Sequence, residues 1–88
     1  MVWAVEFSQA TVKTLDKLDR PVRARILRFF ETRVTDDPRR VGKALVGGKR
    51  DPRAWSYRVG DWRMICHLDD ARRIVFVVKV GNRREVYA

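Results

Sequence analysis

Hydrophobic and polar positions alternate most clearly in two late stretches, Trp55 to Ile65 (WSYRVGDWRMI) and Val75 to Tyr87 (VFVVKVGNRREVY). A period of two is the signature of half-buried strands. Gly60-Asp61 interrupts the first stretch between Val59 and Trp62. Because glycine readily takes positive φ, the pair predicts a two-residue hairpin turn. That turn sets Val59 opposite Trp62 and Arg58 opposite Arg63. Like charges directly opposed on one sheet face are unfavourable, so a hairpin carrying such a pair raises the question of which anion lies between them.

Upstream, Val2 to Phe7 alternates with Trp3, Val5 and Phe7 on one face, a first strand. Ser8 suits a helix cap, and Val12, Leu15 and Leu18 follow at helical spacing, with the helix ending near Leu18. Asp19-Arg20-Pro21 restarts the chain, Asp19 or Arg20 in the cap region and Pro21 in a first turn. Val22, Ile26, Phe29 and Phe30 then form an apolar stripe, with Arg23, Arg25 and Arg28 mostly off it. This stripe is expected to pack on the sheet. Asp36-Asp37-Pro38 stops the second helix, since a residue before proline resists the α region. Arg39 to Pro52 mixes glycines with Arg39, Arg40, Lys43, Lys49 and Arg50, and reads as a basic loop with a short turn near Val41 to Leu45. Such a loop is an electrostatic rim that meets phosphates without reading bases. Ala54–Val59 and Trp62–Leu68 form the hairpin, Asp69 to Arg72 the next turn, and Arg73 to Val80 an apolar central strand. Gly81-Asn82 is expected to break that strand before a short terminal segment from Arg83 to Tyr87. The order is β-α-α-β-β-β. It predicts an α+β fold in which two N-terminal helices pack on one face of an antiparallel sheet, with residues 1–88 as a single domain.

Composition narrows the partners. Lysine and arginine number 20 against 11 acidic residues in 88, a formal charge of +9. The pI is near 10.8. A polyanionic partner follows, either nucleic acid or an acidic protein. Hydrophobic residues make up 45% of the chain, which argues against wholesale disorder. Cys66 is the sole cysteine, so no intramolecular disulfide can form. The opening MVWAVEF has no basic n-region or long apolar run, so neither a signal peptide nor a membrane span is expected.

Alternation also sorts the candidate chemistry. Trp55, Tyr57, Val59, Trp62, Met64, Cys66 and Leu68 share the face expected to meet the helices. Ser56, Arg58, Arg63, Ile65 and His67 share the other, with Lys79 on that face or at its margin according to register. Arg83, Arg84 and Tyr87 follow in the tail. One histidine and one cysteine cannot build a zinc cluster, and the acidic pairs Asp36-Asp37 and Asp69-Asp70 fall in turns. There is no Walker-type glycine loop. What remains is a cationic face with one tyrosine, a set suited to RNA cleavage without a metal. The ribose 2′-OH attacks the adjacent phosphate, a base takes its proton and cations hold the extra negative charge. Arginine suits the last role because its planar fork binds phosphate bidentately.

YRVGDWR, an apolar strand and GNRREVY, in that order, resemble the RelE-type toxins of the RelE/ParE superfamily of bacterial toxin–antitoxin pairs. The resemblance covers nearly the whole chain. It implies a RelE-like fold, a cytoplasmic bacterial protein, and ribosome-dependent mRNA cleavage as an mRNA interferase. It implies no cofactor and no membrane. The implied partners are the ribosome with its mRNA and an acidic, RelB-like antitoxin. Carried across residue by residue, Arg63, Arg83 and Tyr87 take the catalytic places, and Arg58 lies where the family often has another basic residue. With Arg58, the cations Lys49, Arg50 and Arg53 before the hairpin, Lys79 on the late strand and Arg84 in the tail are the expected RNA-binding residues. The chain departs from the family at two lysine places on the strand before the turn, one of them the family's favoured general base. Ala54 and Ser56 stand there, with Lys49, Arg50 and Arg53 just upstream. Two other readings stay open: a ParE-like toxin that acts on DNA gyrase without cutting RNA, and a basic RNA-binding module without toxicity.

Overall fold

The computed structural model describes residues 2–45 and 54–82. The chain runs β1 (Ala4–Phe7), α1 (Gln9–Asp16), α2 (Arg20–Phe29), a π-helical turn (Phe30–Val34), β2 (Lys43–Ala44), β3 (Ala54–Val59), β4 (Trp62–Asp69) and β5 (Ile74–Asn82). The strands form one sheet in the order β1-β5-β4-β3-β2. The helices cover one face. Leu15, Ile26, Phe30 and Val34 from the helical layer meet Tyr57, Met64, Cys66, Leu68, Val75, Val77 and Val80 from the sheet.

The α+β class and the two-helix layer match the sequence expectation, while the sheet is mixed rather than antiparallel. β1 lies parallel to β5, with Val5 beside Val75 and Phe7 beside Val77. A strand that returns only after a long crossover is free to lie parallel to its neighbour. β2 is a second addition: within the expected basic loop, Lys43 and Ala44 pair with Ser56 and Trp55 and make the sheet's outer edge.

Ser8 caps α1 as expected, its hydroxyl accepting from the Thr11 amide at 3.2 Å. Leu15 is buried and Leu18 packs against the core as expected, but the stripe differs at its first position. Val12 is 45% exposed, whereas Thr11 is 1% exposed. Thr11 tolerates that burial because its hydroxyl donates to Ser8 O at 2.8 Å and lies 3.3 Å from Val77 O. Before α2, Asp19 occupies the cap position without a side-chain cap bond, and Pro21 sits in the first turn. Ile26, Phe30 and Val34 are all buried. Steps of four drift around an α-helix of 3.6 residues per turn, and the wider π turn from Phe30 takes up part of that drift.

In the hairpin, Gly60 has φ +60°, and Val59 faces Trp62 and Arg58 faces Arg63 as the turn requires. β5 runs through Gly81 and Asn82 instead of stopping at Val80, because Arg63 and Trp62 pair with them. A β-bulge separates Ile65, paired with Lys79, from Cys66, paired with Val77. The extra residue, Val78, reverses the alternation. Val75 and Val77 face the core before it and Val80 after it, with Val78 and Lys79 both exposed. Strict alternation would have aimed Lys79 at the core with Val75 and Val77. The bulge instead sets it across from Ile65.

Cys66 is wholly inaccessible, and burial pushes its thiol well above the ordinary range. The folded protein is expected to resist iodoacetamide at neutral pH. Labelling should rise with urea along the same curve as loss of circular dichroism. Rapid labelling without denaturant would contradict a closed core at β4.

Candidate functional site

A cleft of about 500 Å³ opens where the segment before β2 runs along the outer strands. Arg40, Lys43, Arg58 and Arg63 line it together with Ser56 and Tyr57, and no acidic side chain does so among the described residues. Register explains the convergence. Arg58 and Arg63 are directly opposed. One step along the strands, Lys43 lies across from Ser56, which lies across from Ile65, which lies across from Lys79.

Arg63 is the unusual member. It is 9% exposed and makes no ion pair with any described residue. Its Nη1 donates to Gly60 O at 3.1 Å and to Trp62 O at 3.3 Å, which ties the guanidinium to the hairpin turn. A buried charge without an opposite charge is costly. Two bonds to neutral carbonyls leave that charge uncompensated by any described residue, and Arg58 adds a second of the same sign. An anion held between them, a phosphate above all, supplies the missing compensation.

The segment carrying Arg40 and Lys43 is anchored on three sides. The Tyr57 hydroxyl donates to Pro38 O at 2.6 Å. Arg39 grips Asp70 through both guanidinium nitrogens, at 2.7 and 2.9 Å, and lies over the Trp55 ring at 5.5 Å. Gly42 is packed so closely that a Cβ there would lie 2.5 Å from Tyr57 Cε1 and 2.7 Å from Ser56 O. Tyr57 is core as expected. It is 1% exposed, with its ring edge-on to Phe29 and Phe30. Burial drives its phenol far above the ordinary tyrosine range, so it holds its proton and serves as an anchor. The Asp70 carboxyl lies below the usual range because Arg39 hydrogen-bonds to it, which keeps that clasp charged in mild acid.

Of the residues singled out in the sequence, Arg58 and Arg63 meet in the cleft. Lys79, set across from Ile65, does not line this cleft and borders a different recess beside the end of α1, with Lys17 and Trp62. Lys49, Arg50 and Arg53 lie outside the described residues, as do Arg83, Arg84 and Tyr87. Sequence alone places Arg40 and Lys43 only in a basic rim. Their place in the cleft depends on the two-residue strand β2, whose sequence KA has no strand signature. Arg39, from the same rim, is instead committed to Asp70 and Trp55. Among the described residues, no three of His, Cys, Asp and Glu come together as metal ligands.

The sequence profile for the ParE toxin of the type II toxin–antitoxin system parDE matches residues 5–87. Toxin RelG of Mycobacterium tuberculosis is 28% identical over 88 residues, spanning 99% of this chain and 98% of that protein. The fold is similar to the toxin–antitoxin complex RelBE2 from Mycobacterium tuberculosis, with TM-score 0.83 and 27% identity, over 94% of this chain and 100% of that one. It is also similar to a mutant of E. coli toxin RelE in the free state, with TM-score 0.81 and 26% identity, over 99% of this chain and 92% of that one.

Replacing Tyr57 by Phe removes one buried hydrogen bond, worth about 1 kcal/mol, and is expected to lower Tm by roughly 4–8 °C. Gly42→Ala should cost more, about 1–3 kcal/mol, because the new methyl meets ring and backbone atoms that cannot both yield. Raised acids such as Tyr57 and Cys66 bind protons more tightly in the folded state. Their contribution is therefore present below the unfolded values, 10.0 and 9.0, and is lost as pH rises beyond them. Urea midpoints measured across the alkaline range should fall above those values, and less steeply in Tyr57→Phe. An unchanged alkaline limb in that variant would contradict the anchoring role.

Proposed function

The chain belongs to the ParE toxin family of type II toxin–antitoxin systems, within the RelE/ParE superfamily, and on that basis we propose that it arrests translation by cutting mRNA on the ribosome. The observation that supports this most directly is Arg63, a buried guanidinium with no carboxylate partner among the described residues, opposed to Arg58 in a cleft lined by four cations. The scissile phosphate sits between Arg58 and Arg63. The neighbouring 2′-oxygen attacks phosphorus as a base takes its proton, the P–O5′ bond breaks, and the 5′-oxygen takes up a proton from an acid or water, leaving a 2′,3′-cyclic phosphate and a 5′-hydroxyl. Charge grows on the phosphoryl oxygens in the transition state, where fixed guanidiniums are most effective. Arginine holds its protons at neutral pH and cannot be the base. Lys43 is the one amine lining the cleft among the described residues. The RelE resemblance adds Arg83 for charge and Tyr87 for stacking or proton transfer, and the basic loop and tail offer Lys49, Arg50, Arg53 and Arg84 to the RNA.

These tools amount chiefly to positioning and charge, so the geometry of in-line attack is left to the ribosome. An acidic, RelB-type antitoxin is the proposed inhibitor. The similar Mycobacterium tuberculosis structure is itself a toxin–antitoxin complex, and a chain of charge +9 suits an acidic partner. A cytoplasmic site of action goes with ribosomes.

The second reading, a ParE-like toxin acting on DNA gyrase, draws on the ParE profile match and on Ala54 and Ser56 at the family's lysine places. Purified protein, a defined mRNA and programmed ribosomes separate the two. Cuts are expected only with ribosomes, are expected to persist after EDTA treatment of the protein, and should slow roughly 100- to 1,000-fold in Arg63→Ala. Arg83→Ala and Tyr87→Phe should also weaken cutting. Equal cutting without ribosomes would refute ribosome dependence. No cutting in either tube, with DNA damage rather than translation arrest in expressing cells, would favour the gyrase reading.

A further inference from the structure

The exposed side of α2 is a second cationic surface, separate from the cleft. The helix reads RPVRARILRF, four arginines and no acidic residue. Ile26 faces the core with Val22, Leu27 and Phe29 packed around it, which leaves Arg20, Pro21, Ala24, Arg25 and Arg28 outward. Arg20 and Arg28 are eight positions apart, a row of about 12 Å along the axis, with Ala24 between them as a low point. The ion pairs among the described residues are Arg39–Asp70 and Arg72–Asp69. No arginine of α2 is neutralised by a described residue, although Asp16, Asp19 and Glu31 lie within reach in sequence. Arg25 carries the surface to the hairpin tip. Its guanidinium nitrogens lie 3.8 and 3.9 Å from the point where a Cβ on Gly60 would sit, and Gly60 is the turn between β3 and β4.

We propose that this face of α2 binds the phosphate backbone of double-helical RNA, beside a cleft that takes a single strand. Three features choose that partner. Single strands are gripped by aromatic platforms as well as charge, and the outward positions of α2 hold no aromatic residue. An acidic peptide that folds on binding needs apolar anchors. The large exposed apolar residues of the described chain are Val2, Val12 and Val78, none of them on α2. A rigid, convex row of guanidiniums suits a regular array of phosphates, which is how helical RNA is recognised without base contacts. The inference does not rest on mRNA cleavage, because duplex binding is expected whether or not the cleft cuts RNA.

The test is fluorescence anisotropy with the full chain and a labelled RNA duplex of roughly 16 base pairs. It compares wild type, the R20Q/R25Q/R28Q variant, the single variant R28Q, and K13Q/K17Q/R33Q as a control with the same loss of charge. Thermal melts verify that each is folded. The α2 variant is expected to lose at least about tenfold in duplex affinity, and its slope of log K against log salt should shrink by about two to three. R28Q should move in the same direction, and the charge-matched control should hold near wild type. Equal loss in the control would reduce the effect to net charge and overturn the proposal. So would undiminished binding by folded R20Q/R25Q/R28Q and R28Q, or displacement of the duplex by polyglutamate as readily as by unlabelled duplex, which would assign the face to an acidic protein.

Discussion

The register of the β3–β4 hairpin is the constraint from which the rest of the molecule follows. Gly60 reaches positive φ where a side chain would be strained, so Val59 must face Trp62 and Arg58 must face Arg63. A slip of one residue would turn Tyr57, Met64, Cys66 and Leu68 outward and Arg58 and Arg63 inward. The burial of those four residues therefore enforces the opposition of the two arginines. The core tolerates an unfavourable charge pair on its outer face because breaking it would expose the inner one.

Two local irregularities adapt this regular frame. The bulge at Val78 lets one strand serve the core with Val75, Val77 and Val80 while keeping Lys79 exposed across from Ile65. The segment from Pro38 to Ala44 is pinned from inside by Tyr57, whose ring belongs to the core and whose hydroxyl reaches Pro38. Arg40 and Lys43 are thus presented by a wall with few degrees of freedom left, and an anion entering the cleft meets cations already in place.

Charge is distributed unevenly over this scaffold. Where arginine meets a carboxylate it is structural: Arg39 with Asp70 beside Trp55, and Arg72 with Asp69 at the β4–β5 turn. The cations of the cleft and of α2 have no such partner among the described residues. Among the described residues the absence of an acidic neighbour, more than the presence of arginine, distinguishes a surface suited to an external anion from one built for stability.

The sequence by itself determined what depends on near neighbours. The period-two stretches and Gly60 set the hairpin and its register, the stripe through Ile26 and Phe30 set the second helix, and the excess of arginine set the class of partner. Tertiary structure alone decided the rest, because it depends on contacts between residues far apart in the chain. The parallel pairing of β1 needs the free edge of β5. The burial of Thr11 in place of Val12 needs the carbonyl of Val77. The passage of β5 through Gly81 and Asn82 needs Arg63 and Trp62 across from them. Arg40 and Lys43 enter the cleft only because β3 offers an edge to a two-residue strand with no pattern of its own, and Arg39, next to Arg40, leaves it because Asp70 has been folded into reach.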